Sequence, residues 1–384
     1  MIVGWDASRI VREGRTGTET YSRDLLRHMI PLALESGHRL RLYTRGPLAP
    51  EDVGLDVWPA SVHVRRIGMP RLWTHVGLAA EVWRHPPHVL FIPAHVVPLF
   101  PPPHLPILVT VHDLGYEHVP QAHPLRQRMY LRWSTRHSVR RATHVLADSR
   151  ATARDLEALY GVPREKITVV YPGFRRPPTP TPEAVRAVRA RYDLHGPYIL
   201  HLGTVHPRKN LLRLLDAFAR VASLPVLGED GRELGPPQLV LAGKVGWLAE
   251  PILRRAREPD LRGRVHLLGY VPDEDVPALL GDALALAFPS LYEGFGFPVL
   301  EAQALGVPVL TSRVSSLPEV GGKAAIYVDP LDVASIAEGL ARLITQPGVR
   351  ARLIREGREN VRRFSWPRAA EAVWQILQEM GRGR

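Results

Sequence analysis

Cysteine is absent from the 384 residues, which excludes disulfides and thiolate metal ligands and leaves the redox compartment unread. Lysine is scarce too. Four lysines stand against forty-six arginines, a compositional bias rather than forty-six chosen contacts. Aromatic residues reach only 7%, beside 45% apolar and 23% charged residues, the mix of an ordinary soluble globular chain. No long uninterrupted apolar run occurs: the most apolar region, 89–111, is broken by six prolines and is excluded as a spanning helix. The opening residues 1–6 lack a basic segment followed by an apolar one, so no signal peptide is expected. Acid is missing altogether from 118–147, where Arg128, Arg132, Arg136 and Arg140 recur every four residues on one helical face. Leu125, Met129, Trp133 and Val139 read as apolar partners elsewhere on that helix. Such a stripe is ordinarily a solvated face; its sharper reading is contact with an anionic lipid or an anionic acceptor.

The chain is long enough for about two domains. Its net charge of +12 lies mostly in residues 1–175, with 23 Lys+Arg against 15 Asp+Glu. That balance favours an anionic partner, whether nucleic acid, an anionic membrane or a diphosphate. Short apolar runs at 2–5, 40–44, 88–92, 107–111 and 145–147 alternate with helical patterns, and the alternation resumes at 198–202 after the proline-rich run 175–182. The expected architecture is α/β, two doubly wound Rossmann-like domains facing across a cleft, over 1–172 and 173–365.

The second half is organised around 290–302, Ser-Leu-Tyr-Glu-Gly-Phe-Gly-Phe-Pro-Val-Leu-Glu-Ala. An apolar strand at 283–288 runs into a glycine turn and a helix start, so bare N–H groups can face an anion or a set of hydroxyls. Glu293 precedes the turn and Glu301 follows it, and two carboxylates around such a loop suit a ligand with both phosphate and hydroxyls. Taken alone, the same residues are common α/β turn chemistry. A second strand, glycine turn and helix, 198–222, carries Arg208 and Lys209 as fixed positive charges. A third, weaker one covers 2–37, with glycines at 14 and 17. His112-Asp113 ends the strand 107–111, where open α/β sheets place their crevices, though a loop cap reads equally simply. His95 and His104 lack metal-ligand spacing. Asp273-Glu274-Asp275 reads as an acidic helix start rather than a metal motif.

Several ordered pieces then converge. Gly203-Thr204-Val205-His206-Pro207-Arg208-Lys209-Asn210, Gly269-Tyr270-Val271-Pro272, the 288–302 stretch, Leu317-Pro318-Glu319-Val320-Gly321-Gly322 and, more loosely, Gly17-Thr18-Glu19 and Val111-His112-Asp113 resemble the retaining GT-B glycosyltransferases of family 4, group 1 type. The resemblance covers nearly the whole chain and is densest over 198–330.

The resemblance implies a donor domain over 173–365 and an acceptor domain over 1–172, joined by the last helix, 366–384, crossing back. It places Arg208 and Lys209 on the leaving diphosphate, Glu301 on the ribose hydroxyls, Glu293 on the transferred sugar and His112 by the anomeric centre. The amides of Gly294, Phe295, Gly296 and Phe297 would hold sugar hydroxyls and phosphate, Gly17 would let a loop approach the diphosphate, and Tyr270 and Val271 would neighbour the base. Thr204 stands where many relatives carry Arg, which makes Arg208 the substitute. The expected activity is metal-independent, retaining transfer of a hexose, with a lean to mannose, from a nucleotide diphosphate sugar to a glycan or lipid-linked acceptor. No cofactor, metal or nucleic acid is expected. A cytoplasmic location is expected, with peripheral contact at the inner face of an anionic membrane through Arg128, Arg132, Arg136 and Arg140. The competing readings are a nucleotide-sugar epimerase on the same fold and a non-catalytic basic protein that binds membrane or nucleic acid.

Overall fold

The computed structural model describes residues 1–10, 17–69 and 71–382. The chain divides into two compact units: Met1–Tyr116 with Pro124–Gly173 and Phe364–Arg384, and Glu117–His123 with Phe174–Arg363. The glycine loop expected before the first helix, with Gly14, falls mostly on 11–16, outside the described residues.

The first unit is built on seven strands, β1 (Ile2–Asp6), β2 (Arg39–Thr44), β3 (Val62–Arg66), β4 (Val89–Ile92), β5 (Ile107–Val111), β6 (His144–Ala147) and β7 (Ile167–Val169). Their order is β3-β2-β1-β4-β5-β6-β7, and every pairing is parallel. Covering helices bury both faces, so β4 and β5 read as unbroken apolar runs rather than as alternating ones. At the edge, β3 reads Val-His-Val-Arg-Arg and exposes all but its first residue, a charged border that discourages further strand pairing. The helix Gly17–Glu35 packs against the last helix, Trp366–Arg382, and the Trp374 indole N–H donates to Ser36 Oγ at 3.2 Å.

The second unit carries β8 (Tyr198–Leu202), β9 (Gln238–Ala242), β10 (Val265–Gly269), β11 (Ala285–Phe288), β12 (Val309–Ser312) and β13 (Ile326–Val328). Their order is β10-β9-β8-β11-β12-β13, again all parallel. Strand order reverses between β8 and β11, the point at which such sheets open a crevice at their carboxyl ends. The two motifs singled out in the sequence leave the sheet there. The core beside it is sealed by the amphipathic helices Leu211–Val221 and Val333–Thr345, with Leu214, Leu215, Phe218, Ile336, Leu340 and Leu343 buried.

The acidic triplet opens a helix as expected, without capping it. Asp275 sits before the helix Val276–Gly281 but caps nothing with its side chain; its carboxylate accepts from Arg191 and from the Tyr192 hydroxyl at 2.8 Å.

Candidate functional site

Beyond β8 the chain passes through Gly203 and Thr204 into a single tight turn, Pro207–Lys209, before Asn210 at φ 60° turns it into the helix Leu211–Val221. The His206 ring accepts the Arg208 N–H at 3.2 Å, which fixes the turn. Beyond β11 the chain runs through 289–296 to the helix Phe297–Ala304. The Leu291 N–H donates to the Arg208 carbonyl at 2.9 Å, tying the two loops side by side.

Glu293 is the centre of the arrangement. Its carboxylate accepts from Lys209 Nζ at 2.6 Å and from an Arg208 guanidinium nitrogen at 2.8 Å, and Arg208 also reaches the Tyr292 carbonyl at 2.7 Å. Burial alone would raise its pKa, but the Arg208 and Lys209 charges outweigh that and bring it down to about 2. Glu293 is therefore an anion at any working pH and cannot donate a proton. Its peptide is held as firmly: the N–H donates to Ser315 Oγ at 3.0 Å, and the Ser316 hydroxyl lies 2.9 and 2.7 Å from the carbonyls of Glu293 and Phe295. Lys209 Nζ also sits 4.5 Å over the Phe288 ring.

Gly296, at φ 116°, caps the helix that follows, in a region of backbone space closed to most side chains. Gly294 and Gly296 are buried, and the N–H groups of Gly294, Gly296 and Phe297 make no hydrogen bond among the described residues. Buried peptide donors are nearly always paired, so the two bare ones of Gly294 and Gly296, with that of half-buried Phe297 at the helix start, lie next to two cations as a candidate cradle for ligand oxygens.

Glu301, on the same helix, forms no ion pair among the described residues. Burial and the like charge of Asp273 push its pKa up to about 7. The two glutamates thus occupy opposite electrostatic environments. Tyr270 is exposed and carries Lys244 Nζ 4.8 Å over its ring, while Val271 is buried.

In the first unit, His112 follows β5. Its Nδ1 lies 2.6 Å from Asp148 Oδ2 and its Nε2 lies 2.9 Å from the Pro93 carbonyl oxygen, so both nitrogens donate. Burial works against the charged ring, but Asp148 and the hydrogen bonds raise its pKa. The Tyr21 ring meets it edge-on at 4.8 Å. The ring nitrogens are thereby committed within this unit. Gly17 opens the helix Gly17–Glu35 and is exposed.

Several residues were not read from the sequence. Lys244, one of only four lysines, repeats the strand, glycine and basic-residue pattern of 198–209 at the end of β9, and that repetition was the available signal. His201 is fully buried, donates to the Ala287 carbonyl at 3.1 Å, and leaves Nε2 without a partner among the described residues. The segment Glu117–His123, sequentially inside the first half, packs on the second unit: His118 stacks on Tyr292 with ring centres 4.5 Å apart, and the Trp247 indole donates to the Ala122 carbonyl at 2.7 Å. Nothing local marks that segment.

Two family models match the chain, Glycosyl transferases group 1 over residues 189–360 and Glycosyltransferase Family 4 over residues 15–176. The chain is 33% identical to the O-antigen chain mannosyltransferase B of Escherichia coli over 261 residues, 67% of this chain and 66% of that protein. It spans only 24% of the length of a serotype-specific mannosyltransferase of the same organism, also at 33% identity. Among solved structures it resembles the sucrose-phosphate synthase of Thermosynechococcus elongatus, with a TM-score of 0.74 at 20% identity and full coverage of both chains. It also resembles Anabaena HepE, solved in complex with UDP and glucose, with a TM-score of 0.71 at 17% identity, covering 98% of this chain and 99% of that one. These likenesses establish the GT-B fold.

Proposed function

Because this chain belongs to the group 1, family 4 glycosyltransferases, we propose that it moves a hexose, mannose first among the candidates, from a nucleoside diphosphate sugar to a hydroxyl of a glycan or lipid-linked acceptor. The observation that carries this reading is the Glu293 carboxylate clasped by Lys209 and Arg208 beside three bare helix-start amides. Breaking a glycosyl–phosphate bond puts negative charge on the departing diphosphate and positive charge on the sugar. Lys209, Arg208 and the amides of Gly294, Gly296 and Phe297 meet the first, and the permanently ionised Glu293 meets the second. Charge on the leaving group is thus neutralised by side chains and backbone, and the reading needs no metal. An anionic carboxylate on the sugar face fits transfer with retention at the anomeric carbon. The mannose assignment rests on the mannosyltransferase relatives, and a nucleotide donor is supported by the UDP-bound neighbour. Tyr270 and Val271 are assigned to the base, Gly17 to the approach of a loop to the diphosphate and His112 to the anomeric centre, where the imidazolium acts as a fixed charge because both its nitrogens are engaged. The same reading puts the enzyme in the cytoplasm, peripheral to the inner face of the membrane. Among the described residues no helix is long and apolar enough to cross one.

A ligand that binds only the folded state raises the melting temperature with the logarithm of its concentration. GDP, UDP and ADP are to be compared by thermal shift, followed by the matching nucleotide sugars with a mannan or lipid-linked acceptor. Protection by one nucleotide and release of nucleoside diphosphate upon acceptor addition is the expected result. Absence of protection by every nucleotide, together with no release, would sink the proposal.

Glu301 sets a pH dependence. Ribose hydroxyls donate best to a carboxylate, and in the free protein that carboxyl titrates at about 7. Its folded pKa lies above the ordinary glutamate range, so the stability it contributes is complete below the unfolded value and is lost as pH rises through about 7. A bound ribose offsets that loss. Nucleotide affinity should therefore increase between about pH 6 and about pH 8, and Glu301→Gln should flatten the increase. Calorimetric titration across that range checks it; an unchanged slope in the variant would remove Glu301 from the ribose.

A further inference from the structure

Of the four residues that its sequence offers as apolar partners, the helix Leu125–Arg141 buries only Val139. Leu125 is 61% exposed, Met129 62% and Trp133 49%, one turn apart in succession, while only Ser134, Thr135, Ser138 and Val139 are buried. Ser134, Thr135 and Ser138 face in together with Val139, while Leu125, Met129 and Trp133 face out. On the same helix Arg126, Arg132, Arg136 and Arg140 are exposed, whereas Arg128 is half-buried.

The neighbouring loop extends this surface. The Val97 N–H donates to Ser138 Oγ at 3.0 Å, His137 Nε2 lies 3.0 Å from the Pro98 carbonyl, and Arg141 reaches the Pro102 carbonyl, so the 93–106 loop is clamped to the helix. Phe100, at its tip, is 76% exposed, and its carbonyl accepts from the indole of Trp83, itself 56% exposed. The Trp133 ring stacks on His137, joining the two patches. Both contributing stretches, 82–112 and 118–147, contain no aspartate or glutamate.

Five large apolar side chains, on two stretches without an acid and edged with arginines, are an unusual thing to leave in water. We propose that this face docks on an anionic lipid bilayer, with Leu125, Met129, Trp133, Phe100 and Trp83 entering the headgroup boundary and Arg126, Arg132, Arg136 and Arg140 meeting lipid phosphates. A bilayer fits better than a protein or a nucleic acid for a physical reason. Lone apolar side chains projecting from a convex helix need no complementary pocket in lipid, and a purely electrostatic partner would leave them unused. Tryptophan, with an apolar body and a polar N–H, suits that boundary.

The test needs no turnover, so it stands or falls independently of the proposed reaction. The full chain is co-sedimented with vesicles of phosphatidylcholine alone and with about 30% phosphatidylglycerol. Binding to the anionic vesicles only is expected. The triple variant Phe100→Ser, Met129→Ser, Trp133→Ser and the triple variant Arg132→Glu, Arg136→Glu, Arg140→Glu should each lose about tenfold or more in partitioning, with melting curves showing that both still fold. In the otherwise unchanged protein, brominated lipid should quench a component of the fluorescence that Trp133→Phe removes. No binding to anionic vesicles would overturn the proposal. So would full binding by the serine variant, or a gel shift with RNA that depends on the arginines alone.

Discussion

Glu293→Gln is expected to lower sugar transfer about a hundred- to a thousandfold while leaving the protein folded, because the amide keeps the shape and removes the charge. The carboxylate lies 2.6 Å from Lys209 Nζ and 2.8 Å from the Arg208 guanidinium, so it pairs with both cations at once. Without it, negative charge on the diphosphate no longer competes with the carboxylate for the two cations. Nucleoside diphosphate should bind as tightly as before or tighter, and turnover should collapse. Lys209→Met should do the reverse to binding: it weakens diphosphate affinity and slows transfer together. Single-turnover kinetics beside calorimetric titration separate the two outcomes. Transfer by Glu293→Gln within about threefold of the unmodified protein would place the carboxylate outside the reaction. A stability signature accompanies this. The folded pKa of about 2 lies below the ordinary glutamate range, so the carboxylate contributes stability that is complete above the unfolded value and is lost as pH falls through about 2. By linkage that contribution is roughly 3 kcal/mol, and the acid limb of the melting profile should flatten in Glu293→Gln.

Gly243→Ala is expected to be the most destabilising single change in the second unit. A Cβ on Gly243 would lie 2.0 Å from the Gly203 carbonyl oxygen, and the residue is held at φ 149°. The loops after β8 and β9 approach at this point: Val205 N–H donates to the Lys244 carbonyl and Gly246 N–H to the Val205 carbonyl, at 2.9 and 3.0 Å. A methyl group cannot be admitted without pushing the Gly203–Val205 backbone, and with it the Arg208-Lys209 turn, out of place. The expected cost is several kcal/mol, with loss of nucleotide-induced stabilisation even in whatever fraction folds. Gly348→Ala is the control. It lies in the helix Pro347–Asn360 with nothing near its Cβ, and should be neutral or stabilising by up to about 1 kcal/mol. Urea unfolding of both variants decides the matter; equal midpoints would refute the close-approach argument.

Much of the fold was legible because a parallel sheet buried on both faces demands unbroken apolar runs. Runs such as Val89–Ile92 and Ile107–Val111 are recognisable without any knowledge of their neighbours. The short strand Ile326–Val328 was not identified, since three residues give no period to read. At the site, Glu293, Arg208, Lys209 and Glu301 were all picked out from turn chemistry. Their relation was not. The sequence reading set Glu293 on the sugar and the two cations on the diphosphate as separate grips, whereas the structure gathers the three into one cluster. The arginine helix shows the opposite difficulty: a four-residue spacing says which residues share a face and is silent on which face is covered.

The amino-acid sequence by itself determined the fold class, the strand–glycine–helix turns that can receive an anion, the exclusion of thiol chemistry and the family. Those features follow from local sterics, periodicity and composition, which act over a few residues. Only the tertiary structure decided that Lys209 and Glu293, 84 positions apart, touch, because their contact depends on β8 and β11 being neighbours at the reversal of strand order. It also decided that the Glu293 pKa is brought down to about 2 and that of half-buried Glu301 pushed up to about 7, since folding sets Arg208 and Lys209 beside the first and Asp273 near the second. The engagement of both His112 nitrogens, the outward turn of Met129 and Trp133, and the placement of Glu117–His123 on the second unit have the same origin. Each is set by what lies across space from a residue, and that is a property of the packed chain alone.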